Sequence, residues 1–278
     1  MNFRYLSGPV AAVAIAVTLS AGVVCAQEQV PPAPVPTALA EPAQAPPGQF
    51  PPGQGYPRQG REGRSRRNGA PRATPRTPTG PAVKLAAPKA KSETSVEQAL
   101  WGRRSLRSVT AGQITLEDIG QLMWAAQGLT GEYGRRAAPS AGGAYPLEVL
   151  LVAGDVTGLP AGVYRYYPAS NELERLVEGD RRGDLGEVCK FRGIEKAPAI
   201  VVITGVESRM ATIVPAGPMA HHTVAIEAGA ASQNLVLEAV ALGLGTAIVP
   251  DSDEEKLAKI LHAAPNEKPF VTVVISRQ

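Results

Sequence analysis

Apolar and small residues recur at three- and four-residue spacing from His221 to Leu242 (Val224, Ala228, Ala231, Leu235, Val236, Ala239, Leu242), and that period predicts one long helix. Its apolar character covers most of the circumference, so burial on several sides is expected. Glu227, Gln233, Asn234 and Glu238 lie within it. Two carboxylates are costly in a bilayer core, which makes this a core helix and not a membrane span. Gly243 and Gly245 are placed to end it where a left-handed residue is needed, and a β-like run, Thr246 to Val249, follows.

Shorter patterns flank this stretch. Ser95 caps a short helix, SVEQALWGR, with Val96, Ala99 and Leu100 on one face. Thr115, with Asp118 three residues on, opens TLEDIGQLMWAAQG, whose buried face is Leu116, Ile119, Leu122, Met123 and Ala126. LEVLLVA (147–153) reads as a strand, GVYRYY and ELERLV as a hairpin across PASN, and AIVVIT (199–204) as a strand buried on both faces. A helix near 184–189, a helix capped by Ser252 and a last strand, FVTVVIS, complete the domain. Helices and strands do not alternate as regular βαβ units, so the class is α+β.

Composition divides the chain. Residues 1–94 carry 11 Lys+Arg and 4 Asp+Glu, a net of +7; residues 95–278 carry 17 and 21, a net of −4. The mildly acidic domain gives no reason to expect nucleic-acid binding. Residues 1–26 read as a Sec-type signal peptide: Arg4, an apolar run from Val10 to Leu19, and small residues placed for cleavage before Gln27. A periplasmic or secreted protein is the expectation, with anchoring by an uncleaved N-terminal segment the alternative. Residues 27–94 are rich in Pro and carry an arginine cluster at Arg58, Arg61, Arg64, Arg66, Arg67, Arg72 and Arg76, so a disordered linker is expected. It serves as a spacer, or as an arm for anionic polymer or membrane. Cys25 and Cys189 with three His offer no credible metal site.

Two stretches carry chemistry. In an extended RRSLR, Arg103, Ser105 and Arg107 share a side, and two guanidinium forks around a hydroxyl suit a phosphate monoester. Such a run equally describes solvated surface. The loop PSAGGAYP (139–146) has almost no side chains, so a flat ligand or a second chain can lie against its backbone, although tight turns have the same composition. Tyr145 sits beside it, as a pocket wall or a packing aromatic.

Taken together, RRSLR, QLMWAAQG, RRAAPSAGGAYPLEVLLV, GLPAGVYRYYPASNELERL and AGAASQNLVLEAVALGLGT make residues 95–278 resemble the nitroreductase-like FMN family, and most closely its SagB-type branch, which includes thiazole and oxazole dehydrogenases. The resemblance implies a central mixed or antiparallel sheet with flanking helices around a long buried helix, in a homodimer with FMN at the interface. It implies that Arg103, Ser105 and Arg107 hold the FMN phosphate and ribityl chain. It implies that Pro139, Ser140, Ala141 and Gly143 of the other subunit lie along the ring, and that Gly243, Leu244, Gly245, Val249 and Pro250 face the flavin. A main-chain amide near Asp251 or Ser252 is directed at N5, with no catalytic side chain. The activity implied is hydride transfer through N5 to a small-molecule acceptor such as a nitro compound or quinone, with NAD(P)H as the family's donor. Azoline-oxidising members share a Lys-Tyr pair after an arginine; here Arg209 is followed by Met-Ala-Thr-Ile-Val, which argues against that substrate class. Basic residues beyond the last strand often clasp the phosphate, and Arg277 is the one present. A ligand-binding scaffold on the same fold, without turnover, is the alternative, and a third reading makes the basic arm the active part.

Overall fold

The computed structural model describes residues 76–131, 134–249 and 253–277. The signal-like segment, most of the linker, and Pro250, Asp251 and Ser252 of the candidate site lie outside the described residues. In chain order the elements are β1 (Ala82–Lys84), α1 (Val96–Gly102), β2 (Ile114–Thr115), α2 (Leu116–Gln127), β3 (Leu129–Gly131), β4 (Arg135–Arg136), β5 (Leu147–Ala153), β6 (Val156–Thr157), β7 (Gly162–Tyr167), β8 (Glu172–Glu178), α3 (Arg182–Val188), β9 (Ala199–Gly205), α4 (Glu207–Met210), α5 (Pro218–Ala241), β10 (Leu244–Val249), α6 (Glu254–Ile260) and β11 (Lys268–Arg277).

Seven strands form one sheet in the order β1-β8-β7-β5-β9-β11-β10. Every ladder in it is antiparallel. Among the described residues, parallel pairing is confined to the short β2–β6 contact and to a single bridge from Ser105 to Thr246. Successive strand residues face opposite sides, so Leu147, Val149, Leu151 and Ala153 of β5 join the core under α2 and α5, while Leu150 and Val152 join a second core with Leu185 of α3 and Leu257 of α6. Helices on both faces explain why β5 and β9 are buried at every position.

The long helix begins at Pro218, directly after Gly217, and ends before Gly243, whose φ of 68° is the left-handed geometry expected of a helix stop. Gly245 has a different reason. It lies inside β10, and a Cβ there would come within 2.6 Å of Leu106 Cδ2. It is a point of close approach, not a cap.

Other expectations change. The helix after β10 is capped by Asp253, which accepts from the Lys256 amide at 3.1 Å, and not by Ser252. Helix α1 does have its Ser95 cap, but Val96 and Leu100 are exposed and Ala99 alone is buried. Helix α5 is not buried all round: Met219 and Ile226 are exposed on one side. The ordered domain also starts before residue 95. Ala82–Lys84 adds an edge strand to β8, and Arg76 leaves the arginine cluster to pair with Glu267 and Glu148.

That pairing belongs to a buried charge network that hydrophobic periodicity does not reveal. Arg165 on β7 donates two hydrogen bonds to Glu267, at 2.8 and 3.0 Å, and lies 3.5 Å from Glu148, which also takes Arg209. Burial pushes the Glu267 carboxyl up, but the hydrogen bonds and charges of Arg165 and Arg76 outweigh burial and hold it below its ordinary range. A carboxylate depressed in the folded state stabilises the fold above its unfolded pKa, and that stabilisation is lost as pH falls through the folded value. Wild-type stability in urea should therefore fall as pH drops below 4.5, the ordinary value of this group. Glu267→Gln should lose about 3 kcal/mol at neutral pH, because Arg165 is left buried without its bidentate partner, and should flatten this acid-side slope.

Candidate functional site

The basic stretch leaves α1 in extended conformation and runs beside the edge strand β10. The Leu106 amide donates to the Thr246 carbonyl at 2.9 Å, and Ser105 bridges Thr246. This register turns Leu106 inward against Gly245 and leaves Ser105 on the exposed side. Arg103 Nη1 donates to Ser105 Oγ at 3.4 Å, so the first arginine and the hydroxyl converge as the alternation predicts. Arg107 lies exposed in the bend that follows. Among the described residues neither Arg103 nor Arg107 has a carboxylate partner. Arg104 is committed elsewhere: it donates at 2.8 Å to the carbonyls of Trp101 and of Arg103, at the end of α1. Arg277 donates its Nε to the Gln113 carbonyl at 2.7 Å.

The glycine-rich loop forms a separate group. Ala141–Gly143 is a single 3-10 turn with Gly142 and Gly143 at φ 58° and 73°. Gly142 is held by contact, since a Cβ would meet Ile213 Cδ1 at 2.8 Å, whereas at Gly143 the nearest atom would be Tyr145 Cε2 at 3.9 Å. One side of the turn therefore packs on the core and the other presents bare backbone.

Four ties fix this loop. Glu227 of α5 accepts from the Ala141 amide at 2.7 Å, and Ser140 Oγ accepts from the Tyr145 amide at 2.8 Å. Arg209 Nη1 donates to the Tyr145 carbonyl at 3.2 Å, while Arg136 lies over the Tyr145 ring, 4.7 Å from its centroid, and donates to Gln127 at 2.9 Å. Burial pushes the Arg136 guanidinium down from its ordinary value. Tyr145 adopts φ 46°, a region costing a side chain of order 1–3 kcal/mol, and the surrounding bonds hold it there. Tyr145 was legible as a neighbour of the loop; Glu227, Arg209 and Glu148 were not, because each acts through a partner distant in sequence, and Arg136, nine residues from both Gln127 and Tyr145, carries no periodic signal.

The two groups occupy different parts of the protomer. The loop is anchored at Glu227, fourteen residues before the end of α5, roughly 20 Å along the helix axis. The basic strip, Gly243, Leu244, Gly245 and Val249 lie beyond that end, on or beside β10. A cleft of 360 Å³ between the 89–95 strap, α1, α2 and α5 is lined by none of the predicted site residues. No group of three or more metal-ligating side chains occurs among the described residues.

Comparison with known proteins agrees with this architecture. The model of the nitroreductase family matches residues 100–276. A Methanocaldococcus jannaschii protein whose name places it among the nitroreductases is 31% identical over 187 residues, covering 67% of this chain and 92% of its own. A Ralstonia eutropha structure named in the same way is 28% identical, with a TM-score of 0.63 over 74% of this chain and 94% of its own. A structure of the Escherichia coli microcin synthetase complex shares the fold at 20% identity, with a TM-score of 0.53 over 63% of this chain and 70% of its own. On the family match, with the antiparallel sheet and the long central helix behind it, the chain belongs to the nitroreductase family.

Proposed function

We propose that the chain is an exported FMN-dependent oxidoreductase that works as a homodimer, with each site assembled from the basic strip of one copy and the loop of the other. The observation that carries this reading is the strip itself: Arg103 and Ser105 converge at an exposed sheet edge and Arg107 follows, with no carboxylate among the described residues to neutralise them. An unpaired guanidinium pair around a hydroxyl fits a phosphate monoester. The bare side of the Ala141–Gly143 turn fits a flat ring.

The loop is tied to the middle of α5 and the strip lies beside β10, so the two groups sit on different elements, which suits a site completed by a second copy. So do the exposed apolar groups: Val96, Leu100 and Trp101 on α1, the last 83% exposed, and Met219 and Ile226 on α5, against which α1 packs. When bound, FMN would supply a two-electron hydride carrier between two small molecules. The protein's part is position. Arg103, Ser105 and Arg107 hold the phosphate end, Pro139, Ser140, Ala141 and Gly143 form the wall, and Gly243 and the main chain of β10 form the floor, since Leu244 and Val249 turn their side chains into opposite cores and Gly245 packs against Leu106. The main chain at Asp251 or Ser252, outside the described residues, is the proposed source of an amide donor, so no side-chain acid or base is required.

Within the family we place the chain nearest the SagB-type branch, on the motifs quoted above. The segment after Arg209 argues against azoline oxidation, because Met210 is fully buried and Ile213 packs on Gly142. NADH or NADPH is the donor to test first, and a nitroaromatic or quinone the acceptor. We place the mature start near Gln27.

Protein purified from Gln27 onward and incubated with FMN should show bands at roughly 370 and 450 nm. Arg103→Ala with Arg107→Ala should weaken FMN about 100-fold, the loss expected for two charged hydrogen-bonding groups. Bleaching of the 450 nm band by NADH or NADPH, and its return with a quinone, would establish turnover. A bound flavin that neither nicotinamide reduces would favour the ligand-binding scaffold, and full FMN occupancy in the double variant would remove the phosphate assignment.

A further inference from the structure

Glu227 is a carboxylate in the middle of a core helix, only 5% exposed, one residue after the exposed Ile226. Ionisable groups are rarely buried this far without specific partners. Its partners both lie in the candidate wall. The Ala141 amide donates to Oε1 at 2.7 Å, and the neighbouring Ser140 side chain helps to hold the carboxyl down. Ser140 Oγ accepts from the Tyr145 amide, so the residue next to the Glu227 tie also fixes the one at φ 46°. Ser140 offers the 3-10 turn no cap of its own, and Glu227 supplies the acceptor that its first amide needs.

We infer that Glu227 is a positioning residue of the flavin site, holding the main chain of Ser140, Ala141 and Gly143 in the shape against which the ring lies. The inference rests on the FMN reading above. A helix buried only for packing would be served here by leucine or methionine, whereas a wall with almost no side chains has few means of fixing its own conformation. A group reaching out from the rigid core does so. Burial outweighs the loop groups that favour the anion, the Ala141 amide first, and leaves the Glu227 carboxyl above its ordinary value.

Glu227→Gln retains an acceptor oxygen, and Glu227→Leu keeps the approximate volume without one. Two readouts are needed: amide exchange of a peptide spanning 139–145, with the β5 peptide 147–153 as internal control, and FMN affinity from flavin fluorescence quenching. The leucine variant should exchange about tenfold faster in the loop, with β5 unchanged, and should bind FMN about tenfold more weakly, while the glutamine variant stays within about threefold of wild type. If the leucine variant does not fold, Glu227→Met, an unbranched chain of similar length with no carboxylate, should show the same two effects. Wild-type exchange in the leucine variant overturns the inference. So does a loosened loop with unchanged FMN affinity, since the tie would then be structural alone. A wild-type protein that takes no FMN overturns the flavin reading and the positioning role with it, and the exchange data then still decide whether Glu227 holds the loop.

Discussion

Helix α5 packs Val224, Ala228, Ala231, Leu235 and Ala239 into the core between the sheet and α2, and the candidate groups take their places from that contact. At its middle, Glu227 fixes the loop. Beyond its end, Gly243 turns the chain into β10, which offers its edge to Ser105 and Leu106. Small residues allow the helix to approach closely on one side, and the other side keeps Met219 and Ile226 exposed. One element therefore sets the loop, the basic strip and an open apolar face. A shift of α5 against the sheet moves all three together, because packed interiors transmit displacement and do not absorb it.

The opposite face of the sheet solves another problem. Glu148, Arg165 and Glu267 are buried there, and charges taken out of water need partners. Three arginines from separate parts of the chain converge on two carboxylates: Arg76 before the first strand, Arg165 on β7 and Arg209 on α4. Arg209 joins this network to the loop, since the guanidinium that pairs with Glu148 also donates to the Tyr145 carbonyl. The root of the linker is fastened beside it, with Glu174 accepting from Thr79 and Gly80.

Periodicity made the scaffold legible. The long helix, the Ser95 cap, the capping box at Thr115, the β7–β8 hairpin and the doubly buried β9 all follow from local rules. Alternation also placed Arg103 with Ser105 and Leu106 opposite them. Pairing of distant residues was not legible. Ala82–Lys84 has no strand signature apart from β8, and Arg76 is one arginine among several until Glu267 faces it. Val96 and Leu100 look like a buried face because their spacing is helical, but spacing cannot say whether the surface opposite belongs to the same chain. Glu227 reads as an argument against a membrane span, and only the folded loop shows what it binds.

Subunit mixing distinguishes a flavin site divided between two copies from one held within a single chain. One variant, Arg103→Ala with Arg107→Ala, lacks the strip; another, Gly143→Trp, blocks the bare side of the loop. Each alone should bind little FMN as a folded dimer. Co-expressed, they should form mixed dimers in which one of two sites is intact, restoring about a quarter of wild-type FMN occupancy across the population. Mixed dimers that bind no more FMN than either parent would contradict the account and place the whole site within a single chain.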